Sequence, residues 1–203
     1  MEASTAEATR KLDGEKAQKI VTAMRESVGT RGAAGSTFDV VAREAGVSRG
    51  LLHYYFGSKE RLLVEVVRRD CDARIATLED QMARATSVDE LVEILVASLE
   101  NWVEDEPQSS AVVYEMVSAS HHSEELRAEM AELYRRWRSH LADVLRSKEQ
   151  EGVVTLDADA EAVASVIFAL GDGIGLQLFS DPSWDSSAAL ELGARTARRL
   201  LGG

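Results

Sequence analysis

Residues 37–63 read TFDVVAREAGVSRGLLHYYFGSKERLL, and this stretch decides the fold. Phe38, Val41, Ala42 and Ala45 recur at i, i+3, i+4 and i+7, the spacing of one face of a short helix. Thr37 stands where an N-cap belongs, and Gly46 where a helix stop belongs. Ser48 then opens a second helix carrying Leu51, Leu52, Tyr55 and Phe56, which Gly57 breaks. The turn at Gly46-Val47 is short and suits two helices that cross steeply. Ala42 and Ala45 are small enough to let the helices approach, with Val47 and Leu52 filling the space beneath. The pattern is a helix-turn-helix, with Ser48–Phe56 as its recognition helix.

On either side the chain reads as helix. Ala17, Ile20, Val21, Met24 and Val28 predict a helix from Glu15 that ends at Gly29 and Gly32. Residues 1–14 are small and polar and predict a mobile tail, in which Arg10 and Lys11 are candidates for a minor-groove arm or plain solvated charges. Ser58 caps a long helix with Leu62, Leu63, Val66, Val67, Ile75, Leu78 and Met82 on its inner stripe. Further helices are expected at about Ser87–Asp105, Pro107–Ser120, Ser123–Glu151, Asp157–Ser180 and Ser183–Leu201. Pro107 suits a first helical position. Glu124 and Glu125 complement a helix dipole behind Ser123, and Asp157 and Ser183 are good caps. Val153-Val154-Thr155 is the only weak strand candidate. The expectation is an all-α chain of about nine helices.

Composition sets bounds. The chain has 203 residues, one cysteine, two prolines and a net charge of −12. A single Cys71 excludes an internal disulfide and any Cys-rich zinc site, and fits a reducing cytoplasm. The first residues have no apolar core of the secretory kind, and no uninterrupted apolar run reaches a membrane span of about 18 residues, so no membrane is expected. Net acidity alone argues against a nucleic-acid partner. The charge is uneven, however: residues 1–57 hold 8 Lys+Arg and 7 Asp+Glu, against 15 and 28 in the remainder. Any DNA contact therefore belongs to the first quarter.

Enzyme readings fail on their own chemistry. Gly171–Gly175, GDGIG, resembles part of a dinucleotide loop but sits inside a helical pattern and lacks the third glycine. His121 and His122 are adjacent, so they do not face one metal on a helix. No metal site, catalytic residue or cofactor is expected.

The run Gly46-Val47-Ser48-Arg49-Gly50, then Leu52, Tyr54, Tyr55 and Phe56, then Ser58-Lys59-Glu60 and Leu62-Leu63, closely resembles the TetR family of bacterial transcriptional regulators. The strong matching spans about 27 residues (37–63); total length and helix pattern are similar. The family more often has Tyr where this chain has His53, and His where it has Tyr55. The resemblance implies a helix-turn-helix DNA-binding domain over 15–60 and a helical effector-binding and dimerisation domain over 61–203. It also implies a ligand-responsive regulator, by family default a repressor. Such a regulator binds a palindromic operator in double-stranded DNA as a homodimer, because one recognition helix reads few base pairs.

The residues suggest roles. The guanidinium fork of Arg49 fits guanine O6 and N7, or a phosphate. Ser48 begins a helix whose unpaired N–H groups suit phosphate. Gly50 permits close backbone approach. Leu51 can touch a thymine methyl or join the core. His53 shares the face of Arg49 and Gly50 and can read a base, donate to phosphate or pack. Tyr54 resembles the family's phosphate-contacting aromatic, and Thr37 and Lys59 resemble positions that grip the DNA backbone on either side.

In the later helices, Trp102, Tyr114, Met116, Met130, Tyr134, Trp137 and Phe168 fall in segments that correspond to the family's pocket-forming helices. Asn101, His121, His140, Asp172 and Gln177 are the polar candidates for orienting a small-molecule effector, or surface groups. Val163, Ile167, Leu170, Gly171, Ile174, Gly175 and Leu178 form a stripe on a helix apolar over most of its circumference, which suits a dimer interface or packing inside one subunit.

Overall fold

In the computed structural model the described residues are 14–105 and 107–203. Apart from Gly14, the tail expected over 1–14, with Arg10 and Lys11, lies outside them. Among the described residues there is no strand. There are nine α-helices: α1 Glu15–Gly35, α2 Phe38–Glu44, α3 Arg49–Phe56, α4 Lys59–Arg84, α5 Val88–Glu100, α6 Pro107–Ser120, α7 Glu124–Gln150, α8 Ala160–Ser180 and α9 Ser187–Leu200. A π-helical turn, Asn101–Asp105, follows α5. The chain divides into two compact units, one of residues 14–71 with 107–130, the other of 72–105 with 131–203. This differs from a linear cut after residue 60, because α6 packs on α1.

In the first unit, Ala17, Ile20, Val21, Met24 and Val28 form the buried stripe of α1. Gly29 does not end this helix. Its missing side chain makes room for α6: a Cβ there would lie 2.9 Å from Gln108 Cβ. The break comes at Gly32, whose φ of 70° and ψ of 169° leave the helical region. Three elements meet at Asp70 of α4. Arg25 Nε of α1 donates to its Oδ2 at 2.8 Å, the second guanidinium nitrogen donates to Oδ1, and Ser109 Oγ of α6 donates to Oδ2 at 2.9 Å.

The first helix of the helix-turn-helix forms as its caps predict, whereas Ser48, the expected N-cap of the second, makes no side-chain capping bond. Thr37 Oγ1 accepts from Val40 N at 3.4 Å. After α2, Val47 N donates to Ala42 O at 2.9 Å and Gly46 N to Arg43 O at 3.3 Å, the paired bonds of a Schellman stop. Gly46 has φ 67°, where any other L-residue would be strained. Phe38, Val41, Ala42, Leu52 and Phe56 are buried beneath the turn.

The second unit is built around Met82, Leu91, Val92, Leu141, Leu145, Val163, Ile167 and Leu201. Several helix ends differ from the sequence expectation. The helix expected to run on to Asp105 changes to π geometry at Asn101. Asp159, not Asp157, caps α8, accepting from Glu161 N at 2.9 Å and Ala162 N at 3.4 Å. Asp157 N is taken up by Leu200 O and Thr155 N by Leu201 O, while Val153 N and Val154 N donate to Lys148 O of α7, so Val153-Val154-Thr155 bridges two helix ends rather than forming a strand. Ser183 folds onto Asp181 in a turn, and α9 starts only at Ser187, whose N–H donates to Asp185 Oδ1 at 3.1 Å.

Lys148 closes the C-terminus of α4. Its buried ammonium donates to Ala83 O at 2.7 Å, Ala85 O at 2.9 Å and Glu151 Oε2 at 2.8 Å, using all three protons. Lys148→Met leaves the two carbonyls without this donor and is expected to destabilise the protein by about 2–4 kcal/mol. Denaturant unfolding of the variant against wild type measures this; equal stability overturns the role.

Candidate DNA-reading face and effector cluster

The recognition helix α3 buries Leu52 and Phe56 and leaves Arg49, Gly50, His53 and Tyr54 exposed. Arg49 and His53, like Gly50 and Tyr54, are one helical turn apart, so the four share a face. Arg49 Nη1 lies 3.1 and 3.3 Å from the two carboxylate oxygens of Asp39 on α2. This exposed pair orients the guanidinium and adds little stability. His53 packs edge-on against Phe38 at 4.8 Å. Its Nδ1 is 3.2 Å from Gly57 O and must be the donor there, which in the neutral ring makes Nε2 an acceptor. Tyr54, 60% exposed, stands edge-to-face with Tyr55 at 5.3 Å.

The flanking candidates divide. Thr37 is exposed and spends its hydroxyl on the cap of α2. Ser48 Oγ makes no capping bond to α3. Leu51 is half-buried, between its two expected roles. Lys59 Nζ donates to Ala33 O at 3.0 Å, so in this structure its ammonium braces the end of α1.

In the second unit, four of the expected effector residues come together. Tyr134 Oη of α7 donates to Asp172 Oδ2 of α8 at 3.0 Å. The Tyr134 ring meets Trp137 edge-on at 5.2 Å, and Trp137 stacks on Phe168 at 6.1 Å. Burial raises the pKa of the Asp172 carboxyl above its ordinary value; the Tyr134 hydrogen bond and the Arg74 charge offset part of that rise. Arg74 of α4 also places its guanidinium carbon 4.7 Å from the centre of the Trp102 ring, in the π-helical turn, which packs against α8.

The sequence reading missed Arg74, though a signal was present: it interrupts the apolar stripe of Cys71, Leu78 and Met82 on α4, where a charge needs a specific partner. Other candidates lie elsewhere. Tyr114 and Met116 belong to the first unit, and Met116 is core there. Gln177 Nε2 donates to Gly173 O of its own helix. His140 pairs with Glu79, and Asn101 and His121 are exposed.

The stripe expected to form an interface is largely internal. Val163 and Ile167 are core, Gly175 is buried, and Ile174 packs where a Cβ on Gly193 of α9 would be 3.3 Å away. Leu170, Gly171 and Leu178 are half-buried. The exposed apolar side chains are Val166, Leu176 and Phe179 on α8 and Leu192 on α9. A helix apolar on nearly all sides gives periodicity no means of choosing its outer face. By length and composition α8 could cross a membrane, with mean hydropathy 1.7, although Glu161 and Asp172 interrupt its apolar run. A single such helix is weak evidence for a span, and this one carries Asp172 in its middle.

Comparison with known proteins agrees with this architecture. Residues 20–66 match the bacterial regulatory proteins of the tetR family, and residues 87–202 match the BetI-type transcriptional repressor, C-terminal family. The HTH-type transcriptional regulator BetI of Rhizobium meliloti (strain 1021) is 33% identical over 178 residues, covering 84% of this chain and 83% of that protein. Two solved structures share the fold. A transcriptional regulator FadR from Bacillus subtilis in complex with stearoyl-CoA has a TM-score of 0.74 at 19% identity, over 92% of this chain and 98% of that one. A transcriptional regulator described from Saccharomonospora viridis in complex with choline has a TM-score of 0.70 at 21% identity, over 90% and 93%. With a reading head at one end of its sequence and a BetI-type segment over most of the rest, this chain belongs to the TetR family of bacterial transcriptional regulators.

Proposed function

We propose that this regulator is a cytoplasmic homodimeric repressor that binds a palindromic operator and leaves it when a small organic cation of the quaternary ammonium type occupies the second unit. The observation that carries the effector class is the half-buried Asp172 carboxylate set among Tyr134, Trp137 and Phe168. Aromatic faces attract a cation through their quadrupole, and a desolvated carboxylate supplies the opposite charge. An acyl chain, as on the FadR ligand, gains nothing from that carboxylate, whereas the choline of the Saccharomonospora relative has the matching charge. DNA reading is assigned to Arg49 for base edges, with His53 and Leu51 at neighbouring bases. Tyr54, Ser48, Thr37 and the backbone at Gly50 hold phosphates, and Lys59 joins them if its ammonium leaves Ala33. The exposed Val166, Leu176, Phe179 and Leu192 form the dimer contact, with Leu170, Gly171 and Leu178 at its edge.

Three measurements test this reading. Selection from a random DNA pool should return an inverted repeat, and Arg49→Ala should relax the preference at one base pair per half-site, costing about 1–3 kcal/mol. Unchanged selection by Arg49→Ala refutes base reading by that side chain. Leu176→Glu with Leu192→Glu should yield a monomer in sedimentation, each change costing roughly 2 kcal/mol or more of association. A dimer that survives both places the interface elsewhere.

The third concerns Asp172. Its raised pKa means that ionising the carboxyl is less favourable in the folded protein than in the unfolded chain, so the ionised carboxylate costs stability at neutral pH. That cost fades as pH falls through the folded value and is gone below the unfolded one. Asp172→Asn should therefore melt higher than wild type at pH 7, the gap closing near pH ~4, while choline binding measured by calorimetry is lost. A variant that melts lower at pH 7 or binds choline normally contradicts the assignment.

A further inference from the structure

The unit that carries the effector cluster already holds a cation whose charge reaches Asp172. The Arg74 guanidinium lies over the Trp102 ring at 4.7 Å, and its charge acts on Asp172. One of its terminal nitrogens is also 3.5 Å from Ser98 Oγ on α5. Trp102 is buried, so its ring face is a desolvated surface on which a cation gains more than it does in water. A guanidinium stacks well on such a ring because it is planar and weakly hydrated. Arg74 thus draws on an aromatic face of its own and on the negative charge of Asp172, the charge that a quaternary ammonium ligand also needs. Two cations cannot share them without repulsion in a poorly solvated site.

We propose that Arg74 is a built-in competitor for the effector, and that its displacement by a ligand cation is the event that α4 reports. The inference rests on the effector-site reading above and adds to it the residue that couples the site to the rest of the chain. Arg74 is carried by α4, whose first residue, Lys59, is separated from the recognition helix by two residues and braces Ala33 at the end of α1. A ligand changes an equilibrium only by its differential affinity for the two states. Here the differential has a physical source. In one state the guanidinium holds the Trp102 face and its charge answers Asp172; in the other the ligand's charge answers Asp172, and Arg74 with its stretch of α4 must find another seat. An uncharged ligand meets no such competitor and has no such lever.

The test uses the full-length chain, with choline as the probe and helicity checked by circular dichroism. Arg74→Gln removes the competing charge and should bind choline about tenfold more tightly than wild type, which is about 1.4 kcal/mol. Arg74→Lys keeps a cation and should bind close to wild type. In a DNA-binding assay, choline should release wild type from its selected operator but release Arg74→Gln far less, despite the tighter binding. Unchanged or weaker choline binding by Arg74→Gln overturns the competitor role, and tighter binding with full release overturns the coupling. The effector reading fails separately. If neither wild type nor Arg74→Gln binds choline, the cation site itself is wrong and the inference falls with it. If wild type binds and Asp172→Asn does not, the site stands whatever Arg74 does.

Discussion

The Asp70 carboxylate is the contact on which the first unit turns. It is nearly buried, and it accepts from the guanidinium of Arg25 on α1 and the hydroxyl of Ser109 on α6. An ion pair so placed contributes little over an apolar replacement, yet removing either partner leaves a charge with nothing to answer it. Its effect is therefore on geometry more than on stability. It sets α1 against α4 and draws α6, which lies some forty residues further along the chain, into the unit that carries the recognition helix. Gly29 completes the arrangement by leaving space at Gln108 that no other residue would leave.

The second unit solves a different problem. An all-helical chain leaves carbonyls and amides unpaired at every helix end. Here side chains and loops take them up one by one. Lys148 serves the end of α4, Asp159 the start of α8, and the carbonyls of Leu200 and Leu201 the amides of the loop before α8. The π-helical turn after α5 brings buried Trp102 to α8. The residues of the proposed effector site thus come from four elements, none of them unusual in sequence.

The chain's acidity looked like an argument against DNA. It is an average over unlike parts: residues 1–57 are almost neutral, and the later residues carry nearly all the excess negative charge. Within the head, the face that meets DNA needs few charges. Arg49 is directed by Asp39, and in the proposed reading helix N-termini and hydroxyls serve the phosphates. Nucleic-acid binding of this kind depends on where charges stand rather than on their sum.

The sequence by itself determined the helices, the turn at Gly46-Val47 and the exposed face of α3, because each depends on local rules: 3.6-residue periodicity, capping hydroxyls and a glycine in the left-handed region. Tyr134, Trp137, Phe168 and Asp172 were also legible as candidates, since large rings and a carboxylate stand out in helices of this composition. Only the tertiary structure decided which of them meet, why Tyr114, Met116 and Gln177 do not join them, and that Arg74 does. Those facts depend on which turns of separate helices come into register, and no local spacing encodes that. It also decided which side of α8 is outermost. Val163, Ile167 and Ile174 look no different in sequence from Val166, Leu176 and Phe179. Val163 and Ile167 are core and Ile174 lies half-buried against Gly193 of α9, whereas the second three are exposed.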